Sequence, residues 1–201
     1  SRLSSVELVN RIISEGERVA AIVRSLLSFA REGSEVMAPV SLPAVLDDCL
    51  ALIEAQLHKD GAVLDLKVDP DLPLVWGHAH QLQQVALNLM SNARHALNQK
   101  YQGAHPDKRL VITARELREA DRRLVRLVFR DSGAGLARGT KDKVFDPFFT
   151  TKPPGKGTGL GLSISHGIVT AHGGELSIDS RPGEYTEAVV DLPAFERSQK
   201  T

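Results

Sequence analysis

Residues 131–163 read DSGAGLARGTKDKVFDPFFTTKPPGKGTGLGLS, from Asp131 to Ser163, and the rest of the chain is arranged around them. The glycines fall in two sets, Gly133 and Gly135 just after an acidic residue, then Gly155, Gly157, Gly159 and Gly161. Between the sets lies a segment too irregular for core, with Phe148 and Phe149 side by side. Glycine lets backbone approach a ligand closely. Beyond Thr158 the apolar residues Leu160, Leu162, Ile164, Ile168 and Val169 take a helical spacing, so the last glycines open a helix. Such a start presents free N–H groups and a positive dipole end, which suits phosphate. Walker A does not fit: the one Gly-Lys pair, Gly155 and Lys156, runs into Gly157, and Thr150 stands where the first glycine belongs. GxGxxG with a following acid finds no match after Gly155 either, which disfavours a Rossmann reading.

Outward toward the N-terminus, two strands, Leu110–Leu117 and Leu124–Phe129, deliver Asp131 to a strand end. Before them HAHQLQQVALNLMSNARHALNQK, from His78, carries Leu82, Val85, Leu89, Ala93 and Ala96 on one face of a helix. Val75 and Trp76 suggest a short strand and Leu64–Val68 a longer one. A helix capped by Ser41, with Pro43 in its first turn, runs to about Lys59 and stops at Gly61. Toward the C-terminus the helix ends at Gly173 and Gly174, and strands are expected at Glu175–Ser180 and Glu187–Leu192. This order argues an α/β fold, a two-layer sandwich with a mixed sheet. Upstream, Val9, Ile12, Ile13, Val19, Ile22, Val23, Leu26, Leu27 and Ala30 mark one long amphipathic helix, which needs a partner helix to bury its stripe. Gly33 to Pro39 reads as a break and hinge. The expected organisation is therefore 1–36, 37–196 and a polar tail at 197–201.

Within 201 residues, Lys+Arg and Asp+Glu both number 25, so no overall field draws nucleic acid or an acidic membrane. Cys49 is the single cysteine, which excludes an internal disulfide and fits a reducing, cytoplasmic setting. No apolar run is long enough to span a bilayer. The absence of an initial methionine reads as a fragment of a longer protein, and a membrane-anchored parent is compatible with that.

Asn88 and Asn92 lie four apart and project from one helix face. Their amides could cap a neighbouring loop, or their carbonyl oxygens could meet Mg²⁺, a hard cation that shares oxygen ligands with substrate phosphates. Taken together, QQVALNLMSNARHAL, DSGAGL, VFDPFF, GKGTGLGLS and PGEYTEAVVDLP resemble, in order and spacing, the boxes of the ATP-binding catalytic domain of sensor histidine kinases. The superfamily also takes in DNA gyrase, the heat-shock chaperone and the mismatch-repair ATPases. The likeness covers roughly residues 40 to 195, and implies a Bergerat-type fold, a mixed sheet covered by helices on one face. ERVAAIVRSLLSFAR resembles the second helix of the dimerisation and phosphoacceptor hairpin; the first, with its acceptor histidine, has no counterpart, since no histidine precedes His58.

The resemblance implies that Asp131 reads adenine, with Gly133 and Gly135 letting backbone lie against the base; a plain strand-end turn would also use Asp-Ser-Gly. It makes Asn92 the Mg²⁺ ligand and Asn88 its support. It makes 136–157 a lid over ATP, and Gly157, Thr158, Gly159, Leu160, Gly161 and Leu162 its hinge and phosphate-facing helix start. Lys152 and Lys156 become phosphate contacts, against the plain alternative of solvated lysines. Phe145, Phe148 and Phe149 would moor the lid, or form a small local core. Two departures stand out. His95 takes the place of a usual Lys or Arg three residues after Asn92, and the last glycine box reads Gly183, Glu184, Tyr185, Thr186, with Thr186 kept beneath adenine. An amide at Asn88 cannot act as a general base, as the glutamate of the gyrase-like ATPases does. Transfer to a histidine is therefore expected, with ATP bound, ADP released, homodimerisation through the N-terminal helix, and relay to a response-regulator receiver domain. A docking scaffold that only binds nucleotide and a gyrase-like clamp are the alternatives.

Overall fold

The structure, a computed structural model, describes residues 36–119, 122–153 and 157–196, together with Gly16. The long helix read over 6–30, the tail and Lys156 lie outside the described residues. In chain order the elements are β1 (Ala38–Val40), α1 (Leu42–Lys59), β2 (Val63–Val68), β3 (Val75–Gly77), α2 (Ala79–Lys100), β4 (Arg109–Glu119), β5 (Arg122–Asp131), a 3₁₀ turn (Lys141–Lys143), α3 (Gly161–Ala171), β6 (Glu175–Arg181) and β7 (Tyr185–Pro193). Five strands form one sheet in the order β2-β4-β5-β7-β6. Only β2 and β4 run parallel; the β4–β5 and β6–β7 pairs are antiparallel, so the sheet is mixed as expected.

One correction concerns the segment read as a break. Ala38–Val40 is a strand, paired antiparallel with β3, with Pro39 opposite Trp76. A three-residue strand is too short to show an alternation, and a two-stranded ribbon tolerates a proline that a central strand would not.

The helices cover one face of the sheet. Ser41 Oγ accepts the Ala44 N–H at the start of α1, and Leu42, Val45, Leu46, Cys49, Ile53 and Leu57 turn inward from there. Burial, then the nearby Asp48, pushes the Cys49 thiol up to about 11, so this cysteine acts as a small core hydrophobe. Leu82, Val85, Leu89, Ala93 and Leu97 of α2 meet the inward residues of the central strands, Leu110, Ile112, Val125, Leu127, Val190 and Leu192. The other sheet face carries cross-strand ion pairs: Arg126 reaches both oxygens of Asp191 at 2.7 Å, and Arg130 reaches Glu187 at 2.9 Å. That division follows from the period-two alternation of the strands, and it decides which residues at a strand end face a ligand. At the end of α1, Asp60 accepts from Arg94 at 2.5 Å and Asn98 at 2.6 Å, while the buried Lys108 ammonium donates to Asp60 O and Gly103 O. This network ties α1, α2 and the start of β4 together without a free buried charge.

Candidate functional site

β5 turns Val125, Leu127, Phe129 and Asp131 toward the helices, the last at the C-terminal end of the strand. Asp131 is 4% exposed, and burial pushes its carboxyl up to about 7, opposed by the Gly133 N–H and by the positive charges of Lys100 and Arg130. Gly133 donates its N–H to Asp131 Oδ1 at 2.9 Å and lies against Ala96 of α2. Thr186 of β7 pairs with Asp131 across the ladder and shares its face. The loop after β5 is tied to the β6–β7 turn: the Gly183 N–H donates to Ala134 O at 2.7 Å, and the Leu136 N–H to Ser180 Oγ at 2.8 Å. Gly135, at φ +65°, lies so close to the Arg181 carbonyl that no side chain fits there. Lys100 Nζ closes this corner on Ser132 O at 2.7 Å.

One turn apart on α2, Asn88 and Asn92 serve different neighbours. Asn88 Nδ2 donates to Ser165 Oγ of α3 at 2.9 Å, and its Oδ1 lies against the Cα of Gly161, where an added Cβ would overlap it. Asn92 Oδ1 instead accepts from the Lys152 ammonium at 3.0 Å. Burial holds the Lys152 pKa below its ordinary value. α3 begins at Gly161 without a side-chain cap, so its first N–H groups are open at the mouth of this corner. Thr158 Oγ1 accepts the Leu160 N–H at 3.3 Å just before it.

Both corners belong to one cavity of about 440 Å³. Asn88, Asn92, His95, Asp131, Gly135, Lys152, Gly157, Thr158, Gly159, Gly161, Leu162 and Thr186 all line it. Two of the expected residues are not among those that line it: Gly133 sits behind Asp131 as its hydrogen-bond donor, and Leu160 occupies the N-cap of α3. Tyr185 points away: its hydroxyl donates to Asp179 at 2.6 Å and its ring lies 3.9 Å from the Arg130 guanidinium on the outer sheet face. Of the phenylalanines, Phe149 lines the cavity, Phe145 packs on His166, and Phe148 is exposed. Sequence reading missed Phe129 and Ala188, which alternate with Asp131 and Thr186 on the same face, and Ala96 and Gln99, which continue the Asn88–Asn92 face of α2. Period two and period four were the signals that could have found them.

A mixed sheet with helices on one face, a buried carboxylate at a strand end and an uncapped glycine helix start across a shared cavity define the architecture of an ATP-binding α/β sandwich. Residues 77–196 match the family described as histidine kinase-, DNA gyrase B- and HSP90-like ATPase, and the chain belongs to that family. It is 36% identical over 193 residues to sensor kinase CckA of Brucella abortus, covering 92% of this chain and 20% of that protein. It is 30% identical to sensor histidine kinase ZraS of Escherichia coli, covering 93% of this chain and 37% of that one. The catalytic domain of histidine kinase ThkA superposes with a TM-score of 0.65 at 25% identity, over 80% of this chain and 97% of that one. ShkA, solved in complex with AMPPNP, shares the fold at a TM-score of 0.71 and 24% identity, over 98% of this chain and 41% of that one. The chain is thus a catalytic domain of the histidine-kinase type, and it spans 19% to 37% of the length of curated relatives such as these. No described helix is long and apolar enough to cross a membrane.

Proposed function

We propose that the cavity binds Mg-ATP and that the domain transfers the γ-phosphoryl group to a histidine on the dimerisation hairpin. The observation that carries this is the division of one cavity between Asp131 with Thr186 at one end and Asn92 with the open start of α3 at the other. Asp131 accepts the exocyclic amine of adenine, with Thr186 beside it and Gly135 keeping the wall flat. The N–H groups at Gly161 and Leu162, His95 and the lid lysine Lys152 face the phosphates, and Lys156 is assigned to them from its place in the sequence. Asn92 Oδ1 is a neutral, hard oxygen that already accepts a cation, which suits Mg²⁺. The metal, when bound, would neutralise charge on the phosphates.

Among the described residues that line the cavity, Asp131 is the one carboxylate, and it stands at the adenine end. No described acid is therefore placed to activate water near the phosphates, which favours a nucleophile that needs little activation, such as neutral imidazole. Asn88, bonded to Ser165, acts by seating α3 against α2. In the parent protein, residues 1–36 supply the second hairpin helix and the dimer contact. The acceptor histidine lies on the first hairpin helix, the phosphoryl group passes to a receiver-domain aspartate, and the reaction is cytoplasmic.

Calorimetric titration with a non-hydrolysable ATP analogue, with and without Mg²⁺, beside Asn92→Ala, tests the site. Metal-dependent binding lost in the variant is expected. Phosphotransfer to a separately supplied histidine hairpin tests the reaction, and a well-folded protein that binds no nucleotide would overturn both.

A further inference from the structure

Among the described residues, Lys152 carries the lid across the cavity to α2, and it lands on the oxygen assigned to the metal. Lys152 Nζ donates to Asn92 Oδ1 at 3.0 Å in a partly buried setting. Among the described residues no carboxylate forms an ion pair with this ammonium, and its partner is the Asn92 amide oxygen. A half-buried ammonium without an acceptor is costly, so the bond to Asn92 favours the inward position of Lys152. A neutral amide holds it far less firmly than an ion pair would.

The backbone around Lys152 is folded to permit this. The Lys152 N–H donates to Thr150 Oγ1 at 3.1 Å, and Gly157 packs on Thr150 and the Lys152 side chain. Gly159, at φ +69°, lies against the Phe148 backbone. Phe148 itself stands at φ +67°, a conformation disfavoured for a bulky side chain, and its ring is 61% exposed.

We propose that Lys152 is a latch, a resident cation on Asn92 Oδ1 that holds the lid across the phosphate end in the nucleotide-free protein and must leave before a divalent cation can take that oxygen. Metal loading and lid opening are then one exchange at one atom, and the released ammonium is free for the phosphates. This rests on the nucleotide-site reading above.

Lys152→Met tests it with two readouts that do not depend on phosphotransfer. In stopped-flow mixing with a fluorescent ADP analogue and Mg²⁺, the variant is expected to bind with an association rate raised about fivefold, the worth of one such hydrogen bond. In the nucleotide-free protein, amide exchange over residues 139–160 is expected to quicken by a similar factor. Asn92→Asp, which turns the latch into an ion pair, is expected to slow that exchange, and Lys152→Met in the same chain to abolish the slowing. Unchanged association and exchange in Lys152→Met, with nucleotide still bound, would overturn the latch and leave the site reading intact. A wild-type chain that binds no nucleotide would overturn both.

Discussion

At the Asp131 end of the cavity the wall is made of paired strands, backbone hydrogen bonds and glycines pressed against carbonyls, whereas at the Asn92 end it is made of side-chain contacts between a helix and a lid. Gly133, Ala134 and Leu136 are tied by their N–H or C=O groups to Asp131, Gly183 and Ser180, and none of these bonds needs a long side chain. Across the cavity, Asn88 reaches Ser165 and Lys152 reaches Asn92 through terminal atoms only. The first end is preorganised, its geometry set by folding itself. The second can rearrange without disturbing the sheet, which suits a site where charge arrives and departs.

The sharpest way to break this comparison is Asp131→Asn. If the carboxylate accepts the adenine amine, ATP affinity falls about 100-fold by calorimetry and discrimination against guanine nucleotides weakens. The same substitution is expected to stabilise the nucleotide-free fold. Asp131 is raised from 3.8 to about 7, so between these values the folded protein keeps a proton that the unfolded chain releases. Its contribution is therefore greatest near pH 4 and is lost as pH rises toward 7; above that the buried charge costs on the order of 4 kcal/mol. Thermal melts should show the variant more stable than wild type at pH 8, with the difference vanishing near pH 4. A wild type that gains no stability from Asn at pH 8 would mean that this end is less dry than its burial indicates.

Gly161→Ala probes the other end. The new methyl meets Asn88 Oδ1, and the start of α3 shifts at a cost of about 2 kcal/mol in urea unfolding. Asn88→Ala alone costs about 1 kcal/mol through the lost bond to Ser165. In the double variant the methyl has room, so the two losses should fall short of additive. Additive losses would mean that α3 is seated by something other than this asparagine.

Most of the strands and helices were legible because their periodicities are long and unambiguous. α2 shows its apolar stripe over 22 residues, and β5 and β7 alternate through nearly their whole length. β1 was not, because three residues carry no period and Pro39 reads as a breaker. At the site, Asp131, Asn92 and the glycines announced themselves by residue type, as polar or flexible residues in places where packing alone would not put them. Phe129, Ala188, Ala96 and Gln99 did not, since an apolar or long polar residue beside a ligand looks the same in sequence as one beside the core. Tyr185 shows the reverse: an apparent departure from the glycine box proves harmless to the cavity because strand alternation turns its ring to the outer face.

The order of the elements, the mixed sheet and the two glycine sets that frame the cavity were determined by the sequence, since local periodicity and chain order are sequence properties. Which partner each asparagine takes was decided only by tertiary structure. Asn88 and Asn92 are chemically identical and one turn apart, and only the approach of α3 to one and of Lys152 to the other separates a seat for a helix from an acceptor for an ammonium. Such contacts join residues 60 or more positions apart, as Lys152 to Asn92 does, and no local pattern encodes them.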